Sequence, residues 1–259
     1  MVIKILQGLL IGVALVLPGL SAGTVILIFG FYRQFLDDLA AFKLKPYLFH
    51  LAGALAGALA AVYTVSYLLD HYNLLVMAFI FGMLIASVPV VLDLKRGIGL
   101  LKPLALLCGA GGFYLAWFVI CEPSQTFTVL PPGGYFHFVI GGALASATML
   151  LPGISGSAML IIVNLYDDVI NAIRHWEWLK LLFLAVGFMV GIFGLARLLS
   201  ALYRRYQLEI SFLLAGLVAG STRALLPLSF SFTFLIAALA GAALVYLLTR
   251  MRQTAVNSS

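Results

Sequence analysis

The sequence predicts an all-α polytopic membrane protein made of two inverted repeats, each a re-entrant Pro-Gly helical hairpin plus three transmembrane helices. Three observations lead there. Of 259 residues, 64% are hydrophobic and only 9% are charged, with a mean hydropathy of +1.15. Charge-free runs long enough to enter or cross a bilayer follow one another along the chain, and two of them carry Pro-Gly in their middle. An offset of 134 residues lays one half of the chain on the other.

The composition excludes whole classes. An average soluble domain is about 25% charged, and 15 basic plus 9 acidic side chains cannot cover the surface of a soluble domain this size. A soluble enzyme, a nucleic-acid binder and a disordered chain are set aside on that ground. The pI near 9.4 reads instead as the positive-inside signal of a membrane protein. Cys108 and Cys121 share one apolar run and stand roughly 20 Å apart if it is helical, too far for a disulfide. The N-terminal run with its lone Lys4 mimics a signal peptide, but apolar sequence continues to Phe31 and the segment is read as retained.

In chain order, repeat one covers 1–121, with a hairpin at about 3–36 and spans at about 46–69, 72–92 and 101–121. The polar, Pro/Gly-rich stretch 122–134 is the linker. Repeat two covers 135–259, with a hairpin at about 136–170 and spans at about 178–203, 208–228 and 230–250. A spanning helix needs about 20 apolar residues, and each span meets that if Arg197 and Arg223 are tolerated inside or at the edge. The hairpins are assigned because proline removes a backbone donor and disfavours helix at the residue before it. The pieces 5–17 and 20–32 hold 13 residues each. At about 20 Å of helix, neither crosses a core of about 30 Å. Interrupted apolar segments at matching places in two halves point to a transporter's binding site.

The offset of 134 holds without a gap over much of the chain. Pro18-Gly19-Leu20-Ser21 falls on Pro152-Gly153-Ile154-Ser155, Tyr32 on Tyr166, Gly53 and Gly57 on Gly187 and Gly191, Tyr72 on Tyr206, and Gly82 on Gly216. Charge then orients the halves. With re-entrant hairpins each half crosses three times and the halves are inverted. One side then holds Lys4, Arg33, Lys43, Lys45, Lys95, Arg96, Lys102, Arg204, Arg205, Arg250 and Arg252, against Arg174, Lys180 and Arg223 on the other. That split of 11 to 3 is the cleaner positive-inside bias, since spanning hairpins give 5 to 9. Both termini are expected in the cytoplasm and the linker outside.

Inverted hairpins bring their tips together inside the membrane. Ser21 and Ser155 stand where a serine caps the following half-helix. Amides and hydroxyls around Gly23 and Thr24, and around Gly156 and Ser157, can then offer an anion site without many charges. Gly19, Gly23, Gly153 and Gly156 allow a ligand close to the backbone. Arg223 is the sharpest single residue, because its repeat mate is Pro89 and an ionisable side chain in a span points to function; the alternative is an arginine that snorkels. Arg197 is read as reaching an interface. Asp37, Asp38, Asp167 and Asp168 are read as solvated helix ends. His50, His71, His137 and His175 have no metal-ligand spacing and read as interface residues. Trp117, Trp176 and Trp178 fit an aromatic belt.

At these residues the chain resembles the PopT family of undecaprenyl-phosphate (polyprenyl-phosphate) transporters, formerly a family of unknown function. Pro152-Gly153-Ile154-Ser155-Gly156-Ser157 is close to the family's central hairpin; Pro18-Gly19-Leu20-Ser21-Ala22-Gly23-Thr24 departs from the early one at Ala22, where the family has glycine. The resemblance covers essentially the whole chain. It implies a multi-pass protein of the bacterial inner membrane. Its role there would be to move undecaprenyl phosphate from the outer to the cytoplasmic leaflet and so recycle the carrier of cell-envelope glycans. It implies no enzyme, no cofactor and no metal, a polyprenyl-phosphate lipid and the bilayer as partners, and leaves open a proton or sodium as coupling ion. A small-anion transporter and a polyprenyl-pyrophosphate phosphatase are the rivals. The phosphatase motif wants an arginine where Ala22 or Gly156 stands, and no glutamate lies between Met1 and Cys121.

Overall fold

The computed structural model describes residues 1–17, 20–92, 103–120, 134–227 and 231–257. The first half begins with α1 (Val2–Val16), α2 (Ala22–Phe29), α3 (Tyr32–Ala40) and the long α4 (Leu48–Val91). It ends on α5 (Pro103–Tyr114), which runs on as a π-helix over Leu115–Ile120. The second half holds α6 (Tyr135–Leu150), α7 (Gly156–Ile162), α8 (Tyr166–Arg174), α9 (Trp178–Arg205), α10 (Gln207–Ser221) and α11 (Phe232–Asn257). A 3-10 turn over Thr222–Leu225 follows α10.

The helix ends follow from local chemistry. Leu17 and Leu151, each before a proline, are extended, with φ −72, ψ 129 and φ −78, ψ 127. The helices restart after Ser21 and Ser155, both in the β region suited to an N-cap. Gly30 ends α2 at φ 77, and Asn164 stands at φ 54 after α7; glycine and asparagine are the residues that adopt this left-handed form at low cost. These turns correct the expected hairpin arm over 20–32. The helix after the first break is only 8 residues long, and α3 is a separate amphipathic helix. In the second half, α7 and α8 are bent by 107° to one another.

The spans also differ in detail from expectation. Helix α4 is one run of 44 residues bent at Tyr72 (φ −134, ψ 35), and α9 passes into α10 at Tyr206 (φ −130, ψ 52). At 1.5 Å per residue α4 is about 66 Å long, enough for both expected crossings at 46–69 and 72–92. Among the described residues, four helices are long and apolar enough to cross a membrane, or five if α7 and α8 count as one bent span. Helices α1, α6 and the run Pro103–Phe118 are apolar but shorter. The chain is a multi-pass membrane protein. The expected linker 122–134 lies, but for Gly134, outside the described residues.

Packing uses glycine in the same way in both halves. Helix α1 packs on the first arm of α4, and α6 on α9. A Cβ at Gly53 or Gly57 would strike the carbonyl of Ile5 or Leu9; at Gly187 or Gly191 it would strike that of Val139 or Ala143. Small residues let helices approach closely where lipid offers no hydrophobic drive to pack. The other pairs cross between halves: the second arm of α4 lies on α11, with Gly82 against Ala238, and α10 lies on α5, with Gly216 against Gly109. The main apolar core sits where α2, α3, the second arm of α4 and α10 converge, around Ile28, Leu36, Leu84 and Leu214.

Candidate functional site

The two Pro-Gly breaks touch. The Gly153 amide donates to the Ser21 hydroxyl at 3.1 Å and to the Thr24 hydroxyl at 3.1 Å. The Ser21 hydroxyl also accepts from the Thr24 amide at 3.2 Å and reaches the Leu151 carbonyl at 3.3 Å. Tyr32 donates to the Leu150 carbonyl at 2.7 Å, from the start of α3 to the end of α6. A Cβ at Gly23 would come within 2.8 Å of that same carbonyl. Ser21 is 5% exposed and Thr24 is fully buried. Break one is thus spent on holding break two.

Break two is open on its other side. Ser155 stands at the N-cap of α7 but, unlike Ser21, makes no bond to the helix amides. Its hydroxyl pairs with that of Ser157 at 2.8 Å, and Ser157 is exposed. The repeat mates explain the contrast: Ser157 stands where the first half has Gly23, and Ala158 where it has Thr24. Gly153, at φ 83, sits against α10, where a Cβ would meet the Ser221 hydroxyl at 2.8 Å. A Cβ at Gly156 would meet Met149 and the Ala145 carbonyl. The space before Gly23, Gly153 and Gly156 is therefore filled by protein. Gly19 lies outside the described residues.

Arg223 lies in the 3-10 turn two residues after Ser221, so it follows the stretch of α10 that backs break two. Its guanidinium donates to the Trp117 carbonyl at 2.6 Å and lies 5.8 and 5.7 Å from the Trp117 and Phe118 ring centroids. A guanidinium stacked on aromatic faces is a well-placed cation. Trp117 belongs to this cluster.

Asp37, Asp38 and one histidine differ from expectation. Asp37 accepts a hydrogen bond from Ser200 and pairs with Arg204 at 3.6 Å, and Asp38 accepts from Tyr47 at 2.9 Å. Arg197 donates to the Ala40 carbonyl at 3.3 Å and lies over the Phe42 ring at 4.8 Å. Asp37 and Arg197 dock α3 on α9, and Asp38 ties α3 to the 3-10 turn Lys45–Tyr47 before α4. His137 is buried, with Nε2 3.4 Å from the Val163 carbonyl, because α6 carries it under the turn after α7. Sequence reasoning passed over Tyr32 and Ser221 as site-forming residues. For Tyr32 a signal existed in the matched pair Tyr32 and Tyr166; for Ser221 there was none, since its partner is distant in sequence.

An all-helical membrane protein whose two interrupted segments meet in its interior is built as transporters are. This chain belongs to the undecaprenyl phosphate translocase-like family, whose family model matches residues 1–101 and 47–237. It is 29% identical to a polyprenyl-phosphate transporter of Vibrio cholerae over 244 residues, covering 86% of this chain and 76% of that one. It is also 29% identical to a polyprenyl-phosphate transporter of Staphylococcus aureus over 255 residues, covering 87% of this chain and 86% of the other. No solved structure gives a significant match.

Proposed function

We propose that this protein transports undecaprenyl phosphate across the bilayer, from the outer to the cytoplasmic leaflet, and so recycles the lipid carrier. Its halves act as inverted repeats with re-entrant hairpins and both termini in the cytoplasm. The observation that carries the reading is the contact of the two breaks, with Gly153 held by Ser21 and Thr24. That contact leaves the Ser155 and Ser157 hydroxyls on the accessible side, as the first donors a phosphate would meet. Arg223 supplies a fixed positive charge on the segment behind them. The two relatives named as polyprenyl-phosphate transporters support the substrate class.

Reconstituted vesicles test this. The protein should move undecaprenyl phosphate between leaflets and leave undecaprenyl pyrophosphate and inorganic phosphate behind. In the same vesicles Arg223→Lys should be slowed, because lysine lacks the planar fork that grips both Trp117 and an anion. Equal movement of the pyrophosphate, or none of the monophosphate, overturns the reading.

A further inference from the structure

We infer that the groove between α1, both arms of α4 and α11 is the seat of the isoprenoid chain of the transported lipid; this rests on the function proposed above. The groove holds about 610 Å³, within the range of roughly 300–1,000 Å³ typical of ligand sites. Val13 and Leu17 of α1, Ala61 and Thr64 of the first arm, Ile80 of the second arm and Ala237 of α11 are among its walls. The walls are almost wholly apolar, as a hydrocarbon chain requires.

Two features separate it from an ordinary gap between membrane helices. The first is where it begins. Leu17 lines it and is the last residue of the first break's upstream arm, directly before Pro18. Four residues of chain, at most about 14 Å, join Leu17 to Ser21, whose hydroxyl accepts from the Gly153 amide. The groove therefore begins within about 14 Å of the contact between the two breaks.

The second is that the matching positions of the other half carry larger side chains. The kink recurs at Tyr206, so the repeat alone would make a second groove. At the matching positions, however, Ala61, Thr64 and Val65 give way to Leu195, Leu198 and Leu199. Leu199 is 4% exposed in the main core, with Leu195 packed against that core. Helix α3 also lies over α9 there, through Asp37, Ala40 and Phe42. Small side chains line the trough in the first half; at the matching positions Leu199 enters the core and Leu195 packs against it, while Leu198 stays 54% exposed.

The experiment restores the repeat. Thr64→Leu, alone and with Ala61→Leu, fills the groove with the residues of the second half; Thr64 is exposed, so the single variant keeps the fold if the buried Ala61 does not tolerate change. Binding to the full-length protein in nanodiscs is measured for undecaprenyl phosphate, geranyl phosphate and phosphatidic acid. The filled variants should bind undecaprenyl phosphate at least tenfold more weakly than wild type and geranyl phosphate unchanged. In Thr64→Cys, undecaprenyl phosphate should block maleimide labelling where phosphatidic acid does not. Undiminished undecaprenyl phosphate binding by a folded Thr64→Leu protein, or equal protection by phosphatidic acid, overturns the chain site while leaving the transport reading intact. A wild type that does not prefer undecaprenyl phosphate to phosphatidic acid removes the transport reading, and the chain site with it.

Discussion

Helices α3 and α8 stand at equivalent places in the two halves and have different surroundings. Helix α3 docks on α9 of the other half: Asp37 meets Ser200 and Arg204, Arg197 meets the Ala40 carbonyl, and Phe42 packs against Phe193, tilted by 36° with ring centroids 4.4 Å apart. The matching surface of α4 carries Tyr63, 84% exposed, and exposed Asp70, while Trp176 beyond α8 is 66% exposed. The backbones agree, with Phe42 and Trp176 both left-handed at φ 58 and φ 52. The side chains decide. Asp37 faces Arg204, whereas the mates of these residues are Asn171 and Asp70, which lack the opposite charges. Matching turns thus sit beside two unlike interfaces, and the asymmetry is written in residue identity as well as in geometry.

Where the halves are alike, they should break alike, and this is the largest effect. Gly53→Leu and Gly187→Leu both drive a side chain into a facing carbonyl, at a cost of about 1–3 kcal/mol or more. Thermal unfolding in detergent should fall for both variants by similar amounts; a silent Gly187→Leu beside a broken Gly53→Leu would show that the two helix pairs are not equivalent.

Where they differ, matched substitutions should diverge. Thr24→Val removes one of the two hydroxyls holding the Gly153 amide while Ser21 keeps the other bond, a loss of about 0.5–1.5 kcal/mol. Its mate Ala158→Val changes only helix propensity, under about 0.7 kcal/mol. Equal unfolding temperatures for the two would deny that break one is the structural clasp. The smallest effect belongs to Asp37→Asn. Its pair with Arg204 is well exposed, so it contributes about 0–1 kcal/mol. Amide exchange should quicken in α3 and stay the same in α8, while Asn171→Ala should change neither.

The breaks and their pairing were legible because Pro18 and Pro152 act on the residue before them whatever the tertiary context. The kinks at Tyr72 and Tyr206 were visible as a matched pair, though not as bends within helices. Helix α3 was hidden because the apolar run 20–32 masks the turn at Gly30; only the match of Gly30 with Asn164, both suited to left-handed backbone, marks it. The docking of Asp37 on Ser200 and Arg204 was not legible, since it joins residues 163 apart in sequence. For the same reason Ser21 and Ser155 looked equivalent: the difference between them comes from Thr24 and Ser157, and only the contact between breaks turns those residues to opposite uses.

The central claim is that break two handles the phosphate while break one holds it in place. Ser155→Ala with Ser157→Ala, set against Ser21→Ala with Thr24→Ala, tests it most directly, with transport of undecaprenyl phosphate and unfolding temperature measured on each. Two hydrogen bonds to a charged group amount to about 3 kcal/mol or more, over a hundredfold in affinity. The account predicts that the Ser155 and Ser157 pair loses transport at unchanged stability, and that the Ser21 and Thr24 pair loses stability. Wild-type transport by the Ser155→Ala, Ser157→Ala protein would contradict it.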